Sequence, residues 1–490
     1  MRQLRSVMKL YVEINPTISR HGIAQASLAL LIWLNEMVLT MVDLKKNLWV
    51  LLLGAWLSCG MSMAQNRYLF PEEVAPLTVT AWAQWFPYSR YCPTVVIDST
   101  SKHVYAGCAP LAMSQYMRTL SYPSRCSLLK RNYDWSLMPY QTDTASYTQQ
   151  HAVARLIRDC GIAARTNYQR TASSTKLNDV VMALKKYFSF SRYAHIVDKA
   201  NFRGKDGKER WNRLIFNELK AGRPVIIRGQ KGKKFAHVFL IDGCKDSLVH
   251  VNFGWGGKRN DYFDPDTLYG FTTAQRMVIE AAEADYQPCI KRIIVEKAGQ
   301  LHRLIEEEDW TTTHHLKITG LINAKDIALL RQLSGGGRKG ERSGQVATID
   351  LTETAIMALP DSAFFSCSTL TYVSLPAMLP ELSNYAFANC PLLNEVNMHG
   401  VLRTIGRRAF SGCFCLWRVN LPKSLRTIGA NAFNSCNSLT ELTLPSQLQT
   451  IESGAFAHCT HLTSLTVPKT VRIASTNIIQ GTKVKKIKYQ

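Results

Sequence analysis

Five phenylalanines, Phe364, Phe387, Phe410, Phe433 and Phe456, stand 23 residues apart. Each is followed three positions later by a cysteine (Cys367, Cys390, Cys413, Cys436, Cys459) and six positions later by a leucine (Leu370, Leu393, Leu416, Leu439, Leu462). A unit of this kind, such as residues 421–445 with its Leu-Pro-x-x-Leu-x-x-Ile-x-x-x-Ala-Phe-x-x-Cys-x-x-Leu-x-x-Leu-x-Leu-Pro pattern, cannot bury its apolar face alone. Stacking copies in register can, which makes the region a solenoid. The alternating Leu-x-Leu end of each unit predicts a short strand, and Ala-Phe-x-x-Cys predicts a turn that points Phe and Cys inward. A parallel sheet should then run along one side. The repeat cysteines read as small buried apolar side chains, because a 23-residue stagger brings no four thiols together around a metal ion.

The repeats occupy residues 346–490, and a cap and linker at 291–345 precede them, with an exposed glycine-rich loop expected at 334–342. A globular domain is expected over 65–290. Residues 1–64 read as an upstream extension followed by a signal peptide at about 41–64. Lys45-Lys46 supplies the charged end, residues 48–57 the apolar stretch, and Ser62-Met63-Ala64 the cleavage site. The expectation is a secreted or cell-surface protein whose mature chain, cut near Ala64, has no membrane span. Lysine and arginine outnumber acidic residues 59 to 36, for a net charge of +23. The basic residues are spread along the chain, so nucleic acid is not an expected partner. Thirteen cysteines in an exported chain would ordinarily pair. The spacing of those outside the repeats does not reveal a pairing.

Within the globular domain, helices expected at 149–160, 177–187 and 211–221 precede strands expected at 224–228, 237–242 and 248–253, an α+β layout. Cys108 follows a glycine and opens the apolar helical run 108–117. A thiol at that position lies in the positive end of the helix dipole, which favours thiolate. His237 sits on an apolar strand far downstream, as a general base facing a thiol across a cleft would. Asn252 ends the next strand and is placed to accept the ring N–H. Gln84 could turn its amide toward an oxyanion beside the Cys108 backbone N–H.

Gln84-x-x-Pro-Tyr, Gly107-Cys108, Tyr133-Asp-Trp135, Gly222-Arg-Pro-Val225, His237-Val-Phe-Leu-Ile-Asp-Gly243 and Asn252-Phe-Gly-Trp-Gly-Gly257 occur in that order. Over about residues 76–272 this pattern resembles the streptopain-like cysteine peptidases. The resemblance implies a papain-like α+β fold and a secreted endopeptidase. Its nucleophile would be Cys108, its general base and acid His237, and Gln84 would serve the oxyanion hole, with Asn252 beside the histidine. It also implies that Ser174, Ala236 and Trp255 meet the substrate, a protein or peptide, and that no cofactor or metal is needed. Phe253 stands where that family carries a tryptophan. The repeats resemble the treponemal-antigen-like leucine-rich repeats of surface proteins, implying that they bind a protein or cell surface. The alternative is a surface adhesin whose peptidase domain is degenerate.

Overall fold

The computed structural model describes residues 68–97, 99–170, 172–204, 206–233, 235–337 and 341–490. The expected signal peptide and Cys59 lie outside them. Among the described residues, no helix is long and apolar enough to cross a membrane.

Four helices, α1 (Cys108–Leu120), α2 (Tyr147–Ala163), α3 (Leu177–Tyr187) and α4 (Gly207–Lys220), come before most of the sheet strands. Ser146 starts α2 with a reciprocal capping box: its hydroxyl accepts the Gln149 N–H, and the Gln149 side chain accepts the Ser146 N–H. The sheet strands are β1 (His195–Asp198), β2 (Val225–Lys231), β3 (Phe235–Lys245), β4 (Leu248–Asn252), β5 (Asp261–Phe263) and β6 (Thr273–Ile279). They form one antiparallel sheet in the order β1-β6-β2-β3-β4-β5. Helix α1 is buried from Ala109 to Met117 between this sheet and α2, so the segment carrying Cys108 is held from both sides.

A parallel sheet then begins with β7 (Lys291–Val295) and β8 (His315–Gly320) and continues through Thr348–Asp350, Tyr372–Ser374, Glu395–Asn397 and Arg418–Asn420. The sequence pattern indicated one sheet. A second parallel sheet runs through Glu381–Leu382, Thr404–Ile405, Thr427–Ile428, Thr450–Ile451 and Arg472–Ile473, where two-residue strands are too short to leave an alternating signal. The phenylalanines stack between turns with ring centroids 5.1–5.5 Å apart, Phe364 on Phe387 and Phe387 on Phe410, for example. The repeat cysteines are buried beside them and do more than fill space. Cys390, Cys413, Cys436 and Cys459 each donate the S–H to the carbonyl of a phenylalanine 26 residues earlier, at 3.0–3.2 Å. The expected exposed loop at 334–342 begins differently, since Ser334 and Gly336 are buried in the turn that ends helix α5 (Ala324–Arg331). All twelve described cysteines are free thiols.

Helix α3 packs along the repeat array. Lys185 Nζ donates to Asn394 Oδ1 at 2.9 Å, Lys186 Nζ to the Ser438 carbonyl at 3.0 Å, and Arg165 to Ser438 Oγ at 3.2 Å. Lys185 is almost fully buried there. Burial drives its pKa down to about 7, against the pull of Glu395 and Cys415 in the other direction.

Candidate active site

Cys108 is the first residue of α1, preceded by Gly107 in an extended, positive-φ conformation that turns the chain into the helix. The residue is half-buried, and its thiol is hydrogen-bonded to the His237 ring. Burial opposes ionisation of the thiol. The hydrogen bond and charge of His237, with the backbone N–H groups of Val238 and Ala109, outweigh it and hold the pKa below the ordinary thiol value.

His237 is buried in the middle of β3. Its Nε2 donates to the backbone carbonyl of Phe253 at 2.8 Å, which leaves Nδ1 for the thiol. Gly229 lies opposite it on β2, and a Cβ there would come 2.7 Å from the Cβ of Phe271. The missing side chain lets Phe271 lie against the imidazole, with centroids 5.7 Å apart. Trp255 covers the ring at 5.1 Å, closer than Phe253 at 6.4 Å. Phe253 instead lies flat on Trp255 at 4.7 Å and is fully buried. The position where a tryptophan was expected therefore backs the shield and is not the shield itself.

Asn252 does not touch the ring in the expected way. Its amide donates to the Thr80 carbonyl at 2.8 Å and accepts the Gly254 N–H at 3.0 Å. Asn252 thereby holds the turn whose Phe253 carbonyl orients His237. The Gln115 amide of α1 donates to Thr80 Oγ1 at 2.9 Å, so Thr80 links the nucleophile helix to the histidine-orienting turn. Gly254 has φ +69°, and a Cβ on it would lie 2.7 Å from Leu111 of α1; no other residue lets the turn sit this close to the helix.

The Gln84 carbonyl accepts the Ala106 N–H at 2.8 Å, fixing Gln84 beside the segment that leads into Cys108. Its side chain is half-exposed, with no hydrogen-bond partner for the amide among the described residues. Ser174 is exposed, and its N–H and carbonyl pair with Asn167 at 3.0 and 2.9 Å, which fixes the loop that carries it. The hydroxyl of its neighbour Ser173 donates to the Tyr105 carbonyl at 2.8 Å. Ala236 is exposed on β3, and Trp255 is half-exposed over the ring. Trp85, Tyr105 and Phe235, on the segments that carry Gln84, Cys108 and His237, are exposed aromatics that the sequence reading did not single out.

A thiol on a helix N-terminus, its pKa lowered by an imidazole carried on an antiparallel sheet, is the arrangement found in papain-like cysteine peptidases. Residues 82–263 match the Peptidase C10 family, and residues 344–490 match the BspA type leucine rich repeat region in six copies. The chain thus carries a streptopain-like Peptidase C10 domain followed by BspA-type repeats. Streptopain of Streptococcus pyogenes is 28% identical over 192 residues, 34% of this chain and 47% of streptopain. Thiol protease/hemagglutinin PrtT of Porphyromonas gingivalis is 26% identical over 278 residues, 48% of this chain and 31% of that protein. The chain therefore spans half or less of the length of these relatives. Among solved structures, interpain A cysteine protease of Prevotella intermedia is similar at 26% identity with a TM-score of 0.40, covering 44% of this chain and 96% of that one.

Proposed function

We propose that this chain is a cysteine endopeptidase, exported by the segment at 41–64 and held on protein or cell-surface targets by its repeats. The observation that carries the proposal is the Cys108 thiol hydrogen-bonded to a His237 ring whose other nitrogen is anchored on the Phe253 carbonyl. In this reading the Cys108 thiolate attacks the scissile carbonyl, and the Gln84 amide and the Cys108 N–H receive the oxyanion. His237 gives its proton to the leaving amine and then takes one from water to release the acyl group. Asn252 is a positioning residue that acts through the turn. The loop of Ser173 and Ser174, together with Ala236, contacts the peptide backbone, while Trp85, Tyr105, Phe235 and Trp255 give the cleft an aromatic rim suited to apolar side chains. Purified chain should cleave casein and lose that activity to a thiol-directed epoxide. Activity retained by Cys108→Ala would refute Cys108 as the nucleophile, and a native chain that cleaves nothing would leave an adhesin with a degenerate peptidase domain as the reading.

A further inference from the structure

Away from the cleft, where the antiparallel sheet meets the first repeat strands, three imidazoles and one carboxylate crowd together. His195 opens β1 and pairs across the sheet with Ile279, which puts it beside Glu280. His315 opens β8 in the repeat sheet, and His314 precedes it. His315 Nε2 lies 2.6 Å from Glu280 Oε2, and His195 Nδ1 lies 3.4 Å from the same oxygen. One ligand atom from each of these three residues lies within 4.8 Å of the others. Tetrahedral zinc holds neighbouring ligands about 3.3 Å apart, so small ring rotations would bring all three onto one ion.

The surroundings match those of a metal site. His315 Nδ1 is 2.9 Å from Thr348 Oγ1, the outer hydrogen bond that fixes a ligating imidazole. His195 Nε2 is 3.2 Å from His314 Nδ1, so it can carry the ring proton when Nδ1 binds metal. In the metal-free cluster His195 Nδ1 also hydrogen-bonds to the Tyr193 carbonyl at 2.8 Å, a bond that an ion on Nδ1 would replace. His314 is 7% exposed, and its Nε2 is buried without a hydrogen-bond partner among the described residues. A cavity of about 610 Å³ walled by Glu280, His314 and His315 gives an ion a way in.

We propose that His195, Glu280 and His315 bind one divalent cation of the zinc class, tying the peptidase sheet to the start of the repeat array. As the ion enters, the ring proton of each neutral imidazole moves to its other nitrogen, His195 Nε2 facing His314 and His315 Nδ1 facing Thr348, so that both rings bind as neutral ligands. Nothing in this depends on the cleft, and the test removes the cleft's own thiol.

The full chain carrying Cys108→Ala is stripped with a chelator and titrated with Zn2+ and Co2+. The expected result is one bound ion per chain, a higher melting temperature, and a cobalt spectrum with visible d–d bands but no thiolate charge-transfer band. Thr348→Val should weaken binding by about 10–100-fold, and Glu280→Gln by at least as much. Absence of binding, a thiolate charge-transfer band, or unchanged affinity in both variants would each overturn the proposal and leave a hydrogen-bonded His–Glu cluster. The cobalt spectrum needs no change in the cluster, so it decides the matter even if Glu280→Gln does not fold.

Discussion

Asn252→Ala separates two ways in which an asparagine can serve a catalytic histidine. If Asn252 held the ring itself, its loss would slow catalysis and leave the fold intact. Its hydrogen bonds run instead to the Thr80 carbonyl and the Gly254 N–H, and all three residues are buried. Truncation leaves the Gly254 N–H unpaired, at about 1–3 kcal/mol for a buried donor. The Thr80 carbonyl keeps a longer bond from Gln115 at 3.4 Å, so its loss adds about 1 kcal/mol or less. The expected cost is about 1–4 kcal/mol in urea unfolding, measured in a Cys108→Ala background to prevent self-digestion. In the active chain kcat should fall by up to about 100-fold, as the freed turn misplaces the Phe253 carbonyl and with it His237. Asn252→Asp keeps the acceptor for Gly254 and should recover part of the stability. A loss of kcat with stability unchanged within about 0.5 kcal/mol would refute this account of Asn252.

Three further outcomes are expected. Iodoacetamide modification of Cys108 should keep its rate below pH 8.5, the ordinary thiol value, and fall only as pH drops through the lowered pKa; His237→Ala should move that limb upward, because burial is then opposed only by the Val238 and Ala109 N–H groups. Lys185 titrates near pH 7 when folded and near 10.4 when unfolded, so the unfolded chain binds the extra proton between those values and stability rises with pH there. Lys185→Met should remove about 2 kcal/mol of the stability gained between pH 7 and pH 9, as read by urea denaturation at the two pH values. Phe410, fully buried and stacked 5.5 Å from Phe387 and 5.2 Å from Phe433, should cost about 3–5 kcal/mol when changed to alanine, read as a lower urea midpoint.

The 23-residue period exposed the solenoid because every turn repeats one packing problem at one position. The helix–strand order likewise matched the α+β domain: α3 was expected at 177–187 and spans Leu177–Tyr187. The site was legible where a side chain does the work and obscure where the backbone does. Cys108 and His237 stood out, whereas the group that orients His237 is a carbonyl, which every residue has. Ser173 and Ser174 are adjacent and identical, and only tertiary contacts tell them apart: the Ser173 hydroxyl bonds to the Tyr105 carbonyl, and Ser174 bridges to Asn167. The cluster around Glu280 left no signal at all, since His195 and His315 are 120 positions apart and meet only because the peptidase sheet and the repeat sheet abut.

The central claim is that the thiol on α1 is the nucleophile, and labelling the chain with a thiol-directed epoxide tests it most directly. Ten of the twelve described cysteines are buried, leaving Cys108 and the exposed Cys289 within reach. Mass spectrometry should find one adduct, on Cys108, appearing in step with the loss of casein cleavage. It should be absent from His237→Ala, whose thiol lacks the imidazole that ionises it. An adduct on Cys289 alone, or cleavage that survives full labelling of Cys108, would contradict the account.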